Sequence, residues 1–195
     1  MPQGKKTSYL HLENDIITTY SMSALSILYL VLPFPIAFIL HDAEEAIVQH
    51  RWMLSHQHVL ENRFPRFQCV VKYLSSLNTQ SFVIAAIEEL VILILLTCYV
   101  LIQGNYCMQL WAALFMAFSI HLLLHIIQAI ILRCYVPGLF TSLLLIPYSY
   151  LGIQSIWCAM SGVELLFWSM AGVLFMIINL IVAHWIGKKV WQTLH

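Results

Sequence analysis

Long apolar stretches separated by short polar breaks run along most of the chain. A helix needs about 20 apolar residues to cross the hydrocarbon core of a bilayer. The five stretches that reach this length are Ala24–Val48, Thr79–Ile102, Met108–Leu132, Val136–Met160 and Val163–Ile186. The pattern therefore predicts an all-α fold, a polytopic transmembrane bundle of about five spans, which a polar N-terminal segment over residues 1–23 precedes.

The longest connection, residues 50–78, follows the first stretch and combines aromatic with basic side chains around Pro65. This mixture is typical of an amphipathic segment that lies on the membrane surface. The other connections are short, which favours antiparallel neighbours in one compact bundle. Pro33 and Pro35 lie within the first stretch, where we expect them to kink the helix.

Composition supports a membrane protein, because 61% of the 195 residues are hydrophobic and only 9% are charged. Soluble domains carry about 25% charged residues. The formal net charge of zero leaves no basic surface for nucleic acid. The five cysteines lack C-x-x-C spacing, so they predict neither a zinc cluster nor a disulfide framework. We expect a single transmembrane domain over residues 1–195 with the lipid bilayer as partner, and the sequence gives no oligomeric state.

Lysine and arginine positions predict the orientation, because cytoplasmic loops are enriched in both. With five spans, one side of the membrane holds only Lys5 and Lys6. The opposite side holds the other seven basic residues: Arg51, Arg63, Arg66, Lys72, Arg133, Lys188 and Lys189. We therefore expect an outside N-terminus and a cytoplasmic C-terminus.

Three of the five stretches contain ionisable residues that a lipid-facing helix would lack. The first carries His41-Asp42-Ala43-Glu44-Glu45, the second Glu88-Glu89, and the third His121 and His125. Residues three or four apart share one helix face. At ~1.5 Å per residue, the three groups lie about 10–16 Å from the cytoplasmic ends of their helices. They are thus predicted to form one cluster in the cytoplasmic half of the bundle.

A metal ion would offset the cost of burying these groups, which is about 2.5–3.5 kcal/mol per charged residue at a span centre. Imidazole and carboxylate ligands together suit zinc or iron. The number of ligands fits one ion with a catalytic glutamate or two ions. The predicted ligands are His41, Glu44, Glu45, Glu88, Glu89, His121 and His125, with His184 of the fifth stretch as an open case. No organic cofactor is expected.

The sequence between residues 32 and 148 resembles a known family. His41-Asp42-Ala43-Glu44-Glu45 has the H-x-x-E-E pattern of the HXXEE-motif membrane proteins, a mostly bacterial group of uncharacterised function. The similarity continues through His121-x-x-x-His125-x-x-Gln128 and Tyr135-x-Pro137-Gly138-x-x-Thr141. The resemblance implies a bacterial cytoplasmic membrane and no particular reaction.

The Glu88-Glu89 pair also resembles that of intramembrane CAAX-type proteases, which combine a Glu pair with two histidines on separate spans. Leu93 stands where those proteases have arginine, four residues after the second glutamate. The likeness is therefore one of chemistry, which different folds can share.

The leading hypothesis is a membrane-embedded metalloenzyme with a lipid-like or apolar substrate. In a hydrolase, Glu45 or Glu88 would act as the general base beside the metal. In a di-iron oxidoreductase, carboxylates would bridge two ions. A proton- or metal-ion-coupled transporter would use the same cluster. A structural subunit, with histidines as interhelical hydrogen-bond partners, also fits the sequence.

Overall fold

The structure, a computed structural model, describes residues 27–194, and this part of the chain forms six α-helices and no strand. A π-helical turn, Ile27–Val31, precedes the first helix, and a 3₁₀ turn, Pro65–Phe67, follows it. The helices are α1 Pro33–Arg63, α2 Gln68–Ser75, α3 Thr79–Leu101, α4 Cys107–Leu132, α5 Leu139–Ala159 and α6 Gly162–Leu194. The predicted all-α class is confirmed, whereas the polar segment of residues 1–23 lies outside the described residues.

Four helices, α3 to α6, are long and apolar enough to cross a bilayer, which supports an integral membrane protein. Their bounds agree with the last four predicted stretches to within a few residues, except that α6 continues past Ile186. Helix α1 is not among these candidates. It carries Asp42, Glu44 and Glu45 within its apolar half, so the count of five spans is not confirmed.

Helix α1 differs from the prediction at both ends. It begins at Pro33, and Pro35 lies in its first turn, where a missing backbone N–H breaks no helical hydrogen bond. The expected proline kink stays a prediction, since Leu32 before Pro33 also has a helical conformation. The helix continues without interruption past Val48 to Arg63. The first half of the predicted connection is thus an extension of α1, and its lying on the membrane surface stays a prediction.

The end of α1 is set by Pro65. Phe64, the residue before this proline, leaves the helical conformation with φ −128° and ψ 68°, as steric conflict with a following proline ring favours. The short helix α2 then packs back on α1, and Met53, Leu60 and Val71 form a small apolar core between the two.

Close contacts define the directions of the helices. Phe34 of α1 packs on Phe118 of α4 with ring centroids 5.3 Å apart, and His41 packs on His125 at 4.9 Å. Helices α1 and α4 therefore run in the same direction. The larger apolar core, which includes Phe34 and Phe118, fills the bundle on the N-terminal side of His41.

Helix α6 packs closely along both α3 and α4 because glycines stand at the contacts. Gly172 lies directly against the backbone of Ala113 in α4, and Gly187 lies against the backbone of Ser81 in α3. Small residues allow such close backbone approach in membrane helices. Since Gln109 also contacts Glu164 and Phe82 contacts His184, α6 runs parallel to α4 and antiparallel to α3.

Candidate metal centre

Two parallel helices supply four side chains that converge inside the bundle. His41 and Glu45 are one turn apart on α1, and His121 and His125 are one turn apart on α4. Each pair shares one helix face because the spacing is four residues. One potential ligand atom from each of the four lies within 4.8 Å of the others, a grouping that can hold a metal ion.

The distances within this group suit ligands of one metal ion. Nε2 of His125 lies 3.0 Å from Nε2 of His121 and 3.4 Å from Oε1 of Glu45. Nε2 of His121 lies 3.8 Å from Oε2 of Glu45. Tetrahedral zinc with bonds of 2.0–2.1 Å separates its ligand atoms by about 3.3 Å. The three separations between ligand atoms, 3.0, 3.4 and 3.8 Å, are close to that value.

The buried ring of His41 has one paired and one unpaired nitrogen. Its Nδ1 lies 3.0 Å from Oγ1 of Thr141, and its Nε2 has no hydrogen-bond partner among the described residues. The side chain is completely excluded from the surface. Buried polar atoms without a partner are costly and rare, so the unpaired Nε2 requires an explanation.

Glu44 determines which nitrogen of His41 carries the proton. Its Oε2 accepts a hydrogen bond from Oγ1 of Thr141 at 2.6 Å. A hydroxyl has one proton to donate, so Thr141 accepts from Nδ1–H of His41. The lone pair of His41 is then on Nε2. A carboxylate that orients a ligand histidine in this way is common around protein metal sites.

Glu44 also caps the N-terminus of α5. Its carboxylate accepts from the backbone N–H groups of Phe140, at 3.2 Å, and Thr141, at 2.7 Å, and from the hydroxyl of Tyr135 at 2.5 Å. A carboxylate at a helix N-terminus satisfies unpaired N–H groups and interacts favourably with the helix dipole. Partial burial and the hydrogen bond to Glu44 raise the pKa of Tyr135, so the hydroxyl stays a donor.

Gly138 permits the loop between α4 and α5 to pass beside the histidines. Its φ of +80° lies in the left-handed region, which glycine adopts at no steric cost. A Cβ atom here would stand 2.9 Å from Cε1 of His41 and 3.0 Å from Cε1 of His125. Both the conformation and the space therefore exclude a side chain.

A cavity of about 650 Å³ adjoins three of the four converging side chains. Glu45, His121 and His125 form part of its wall, while most of the remaining lining is aliphatic or aromatic. Known ligand sites have volumes of about 300–1,000 Å³ and combine apolar walls with a few polar groups. The cavity has this character, and the potential metal ligands supply some of its polar groups.

The other predicted ligands lie outside the group of four. Glu44 is engaged at α5, and Oε2 of Glu88 accepts from Nδ2 of Asn179 on α6 at 3.2 Å. Glu89 lines the cavity, and its Oε1 is buried without a hydrogen-bond partner in the described part of the chain. His184 also lines the cavity, but its Nδ1 bonds to the carbonyl oxygen of Leu180 at 2.8 Å.

Sequence reasoning gave no role to three residues near the site. Asp42 lines the cavity, and Tyr135 and Thr141 hold Glu44. The Tyr135-x-Pro137-Gly138-x-x-Thr141 pattern was the available signal for the last two. Its residues serve a common purpose, because they form the loop and helix start that orient His41 and Glu44.

Residues 32–152 match a protein-family model whose description is "Protein of unknown function with HXXEE motif". No curated protein and no solved structure matches the chain.

Proposed function

The chain belongs to the HXXEE-motif family, whose description assigns no reaction, and we propose from the site itself that it is a membrane-embedded metal-dependent enzyme. The substrate would be a lipid-like or apolar molecule. One observation carries the proposal: three histidines and a glutamate converge within 4.8 Å, and all of them except His41 line a mostly apolar cavity.

The proposed ligands are Nε2 of His41, Nε2 of His125, a ring nitrogen of His121 and the carboxylate of Glu45. The unpaired Nε2 of His41 supports this assignment, because a metal ion would supply its missing partner. The two Nε2 atoms of His121 and His125, 3.0 Å apart, support it as well. Without a proton between them, two imidazole lone pairs at this distance need a cation to stabilise them.

We propose one metal ion, zinc or iron. The converging group contains a single carboxylate, whereas the helix-bundle di-iron proteins use several glutamates. Nitrogen and oxygen ligands in this ratio suit either metal. The geometry therefore favours the hydrolytic hypothesis over the di-iron one. When bound, the ion would supply Lewis acidity and would lower the pKa of a coordinated water.

Two glutamates are candidates for the proton-accepting group. Glu45 is close enough to the histidines to bind the metal or to take a proton beside it. Glu89 faces the cavity with an unpaired Oε1, and it suits the role better than Glu88, whose carboxylate is bonded to Asn179. A general base must reach its proton directly or through one water.

We also propose that α1 is a fifth span, with the N-terminus outside. Its outer half exposes Ile36, Ile39 and Leu40, which suits contact with lipid. Two of its acidic side chains have partners within the bundle: Glu44 is bonded to α5 and Glu45 is paired with the histidines of α4. Internal pairing reduces the cost of charged groups at membrane depth.

Metal analysis of detergent-purified protein tests the proposal. We expect about one zinc or iron ion per chain, as four ligands to one ion require. His121→Ala and His125→Ala should lose it. The matched control is His184→Ala, which removes another buried histidine of the cavity wall and should retain the metal. Protein free of metal after purification and addition of Zn²⁺ or Fe²⁺ would contradict the proposal.

A flux measurement separates the enzyme from the transporter. The cavity wall beyond the histidines contains Phe34, Phe38 and Phe118, and this apolar surface is unsuited to ion passage. Proteoliposomes should therefore show no metal-dependent proton or Zn²⁺ flux above that of the His121→Ala variant. A flux that this substitution abolishes would favour transport instead.

A further inference from the structure

The lining of the cavity changes from apolar to polar and back to apolar along three of the helices that form it. On α1, Phe34 and Phe38 come first, then the polar Asp42, Glu45 and Gln49. Further along the same helix, the lining is again mainly apolar. Because α1 and α4 are parallel, their order can be compared directly.

Helix α4 repeats this order beside α1. Leu114 and Phe118 are followed by His121 and Gln128, and then by Leu132. Each of these residues lines the cavity. Apolar side chains therefore lie both before and after the polar ones on this helix.

Helix α3 is antiparallel to α6 and therefore also to α4. The order of apolar and polar lining residues is accordingly reversed along its sequence. Ala85 and Phe82 line the cavity before Glu89, and Ile92 and Leu93 line it after that residue. The agreement between three helices defines a layered cavity.

We name the layers by their residues. The outer band contains Phe34, Phe38, Leu93, Leu114 and Phe118. The polar belt contains Asp42, Glu45, Glu89, His121, His125 and Asn179. The inner band contains Met53, Leu60, Val71, Leu74 and Leu132. All of these residues line the same cavity.

Two polar side chains of the lining near the inner band have hydrogen-bond partners. His184 uses its Nδ1 to bond to the Leu180 carbonyl, and Trp52 donates its indole N–H to the Tyr135 carbonyl at 2.8 Å. The inner band is therefore an apolar environment, in which hydrocarbon is more stable than in water. The polar belt, by contrast, contains an unpaired carboxylate oxygen, Oε1 of Glu89.

The charges around the cavity oppose an anionic ligand. Asp42, Glu45 and Glu89 line it and would offset the charge of one divalent ion, and the described lining contains no lysine or arginine. A phosphate or fatty-acid carboxylate usually pairs with such cations. The lining therefore favours a molecule that is neutral at its polar group.

We infer that the cavity takes a neutral molecule with one internal polar linkage, such as an ester or amide, between two hydrocarbon arms. The linkage lies in the polar belt beside the metal group, and one arm lies in each apolar band. This inference rests on the proposed function for the role of the metal. A molecule with its polar group at one end would leave one band without hydrocarbon or place the group among apolar side chains, where it lacks a partner.

Photo-crosslinking with a pair of isomeric esters tests the inference on the purified full chain. The first probe is decyl decanoate with a diazirine at the end of each arm. The second is the isomeric methyl ester with the same number of carbons and two diazirines near its chain end. We expect the first to label peptides of both bands and to compete about tenfold more strongly than the second, a typical effect of leaving a buried polar group unpaired.

Blocking variants assign each arm to its band. Leu114→Trp should remove labelling of the outer band alone, and Leu74→Trp should remove labelling of the inner band alone. Leu144→Trp on the exposed face of α5 is the control and should change neither. Labelling of one band only, or equal competition by the two isomers, would overturn the inference.

The metal content of the same sample separates this inference from the proposed function. Bound metal together with labelling of one band would overturn the two-armed ligand alone. Labelling of both bands in protein that binds no metal would overturn the metalloenzyme and support the two-armed ligand. Because labelling in the wild-type chain is the primary result, a variant that fails to fold does not affect the outcome.

Discussion

Glu44 and Glu45 are adjacent in the sequence and have different partners in the structure. Glu45 faces His121 and His125 on α4, whereas Glu44 binds the start of α5 and, through Thr141, orients His41. A difference of one residue rotates a side chain by about 100° around a helix. The two glutamates of the motif therefore reach different neighbours, and we assign metal binding to Glu45 and positioning to Glu44.

Substitution by glutamine should separate these roles. Glu45→Gln removes a proposed ligand and should abolish stoichiometric metal binding with little effect on unfolding. Glu44→Gln weakens hydrogen bonds to a charged group and should lower the free energy of unfolding by roughly 1.5–3 kcal/mol. Thermal unfolding in detergent and metal titration measure the two effects. The same loss of metal and the same stability in both variants would contradict the assignment.

Thr141 is expected to act through His41. Thr141→Val removes the hydroxyl that accepts from Nδ1 of His41, and metal affinity should fall about 10–100-fold, as for other partners of ligand histidines. Thr141→Ser retains the hydroxyl and should restore the affinity. Thr97→Val removes a buried hydroxyl that bonds within α3 and serves as the control. Unchanged affinity in Thr141→Val would show that Thr141 does not position His41.

At the residue scale, the sequence was informative where local spacing decides the geometry. The four-residue spacings of His41 with Glu45 and of His121 with His125 predicted two shared faces, and the structure brings these faces together. The separate role of Glu44 was not predictable, because Tyr135 and Thr141 are distant in sequence. The choice between Glu88 and Glu89 depends on the rotation of α3, which hydrophobic spacing did not define.

Among the helices, α1 departs most from the expected pattern. Hydropathy suggested that it ends near Val48, but the helix continues to Arg63 because no proline or glycine interrupts residues 36–63. Its prolines lie in its first turn. The bounds of α3 to α5 and the start of α6 were predictable because long apolar runs end at polar or glycine-containing turns, whereas α6 continues past the predicted end at Ile186.

Close packing of α6 on α4 requires a glycine. In Gly172→Ala, the new methyl would overlap the Ala113 backbone, and forcing the helices apart should cost about 1–3 kcal/mol. The control is Gly162→Ala, where a Cβ atom would meet no other atom within 4 Å. Thermal unfolding in detergent compares the variants. Equal stability of Gly172→Ala and wild type would contradict this packing account.

For the whole molecule, the main topological question concerns α1. In a variant without native cysteines, single cysteines replace Gln3, Asn62 and Asn105 in turn. If α1 spans the membrane, an impermeant maleimide should label Gln3→Cys and Asn105→Cys from outside in intact cells, and Asn62→Cys only after permeabilisation. Labelling of Gln3→Cys from the same side as Asn62→Cys would exclude a fifth span.

Whole-molecule features were only partly predictable from the sequence. Composition and hydropathy predicted a helical membrane protein, and four apolar helices support it. Depth counting placed histidines and glutamates at one level, and four of these residues converge. The layered cavity was not predictable, because it depends on which faces of α1, α3 and α4 point towards each other.

The metal centre is the central claim, and X-ray absorption at the metal edge of purified, metal-loaded protein tests it most directly. Three imidazole nitrogens and a carboxylate oxygen should surround the ion at about 2.0–2.1 Å. The multiple-scattering signal of imidazole should weaken in His121→Ala and stay unchanged in His184→Ala. A spectrum with oxygen ligands alone, or one that His121→Ala leaves unchanged, would contradict the account.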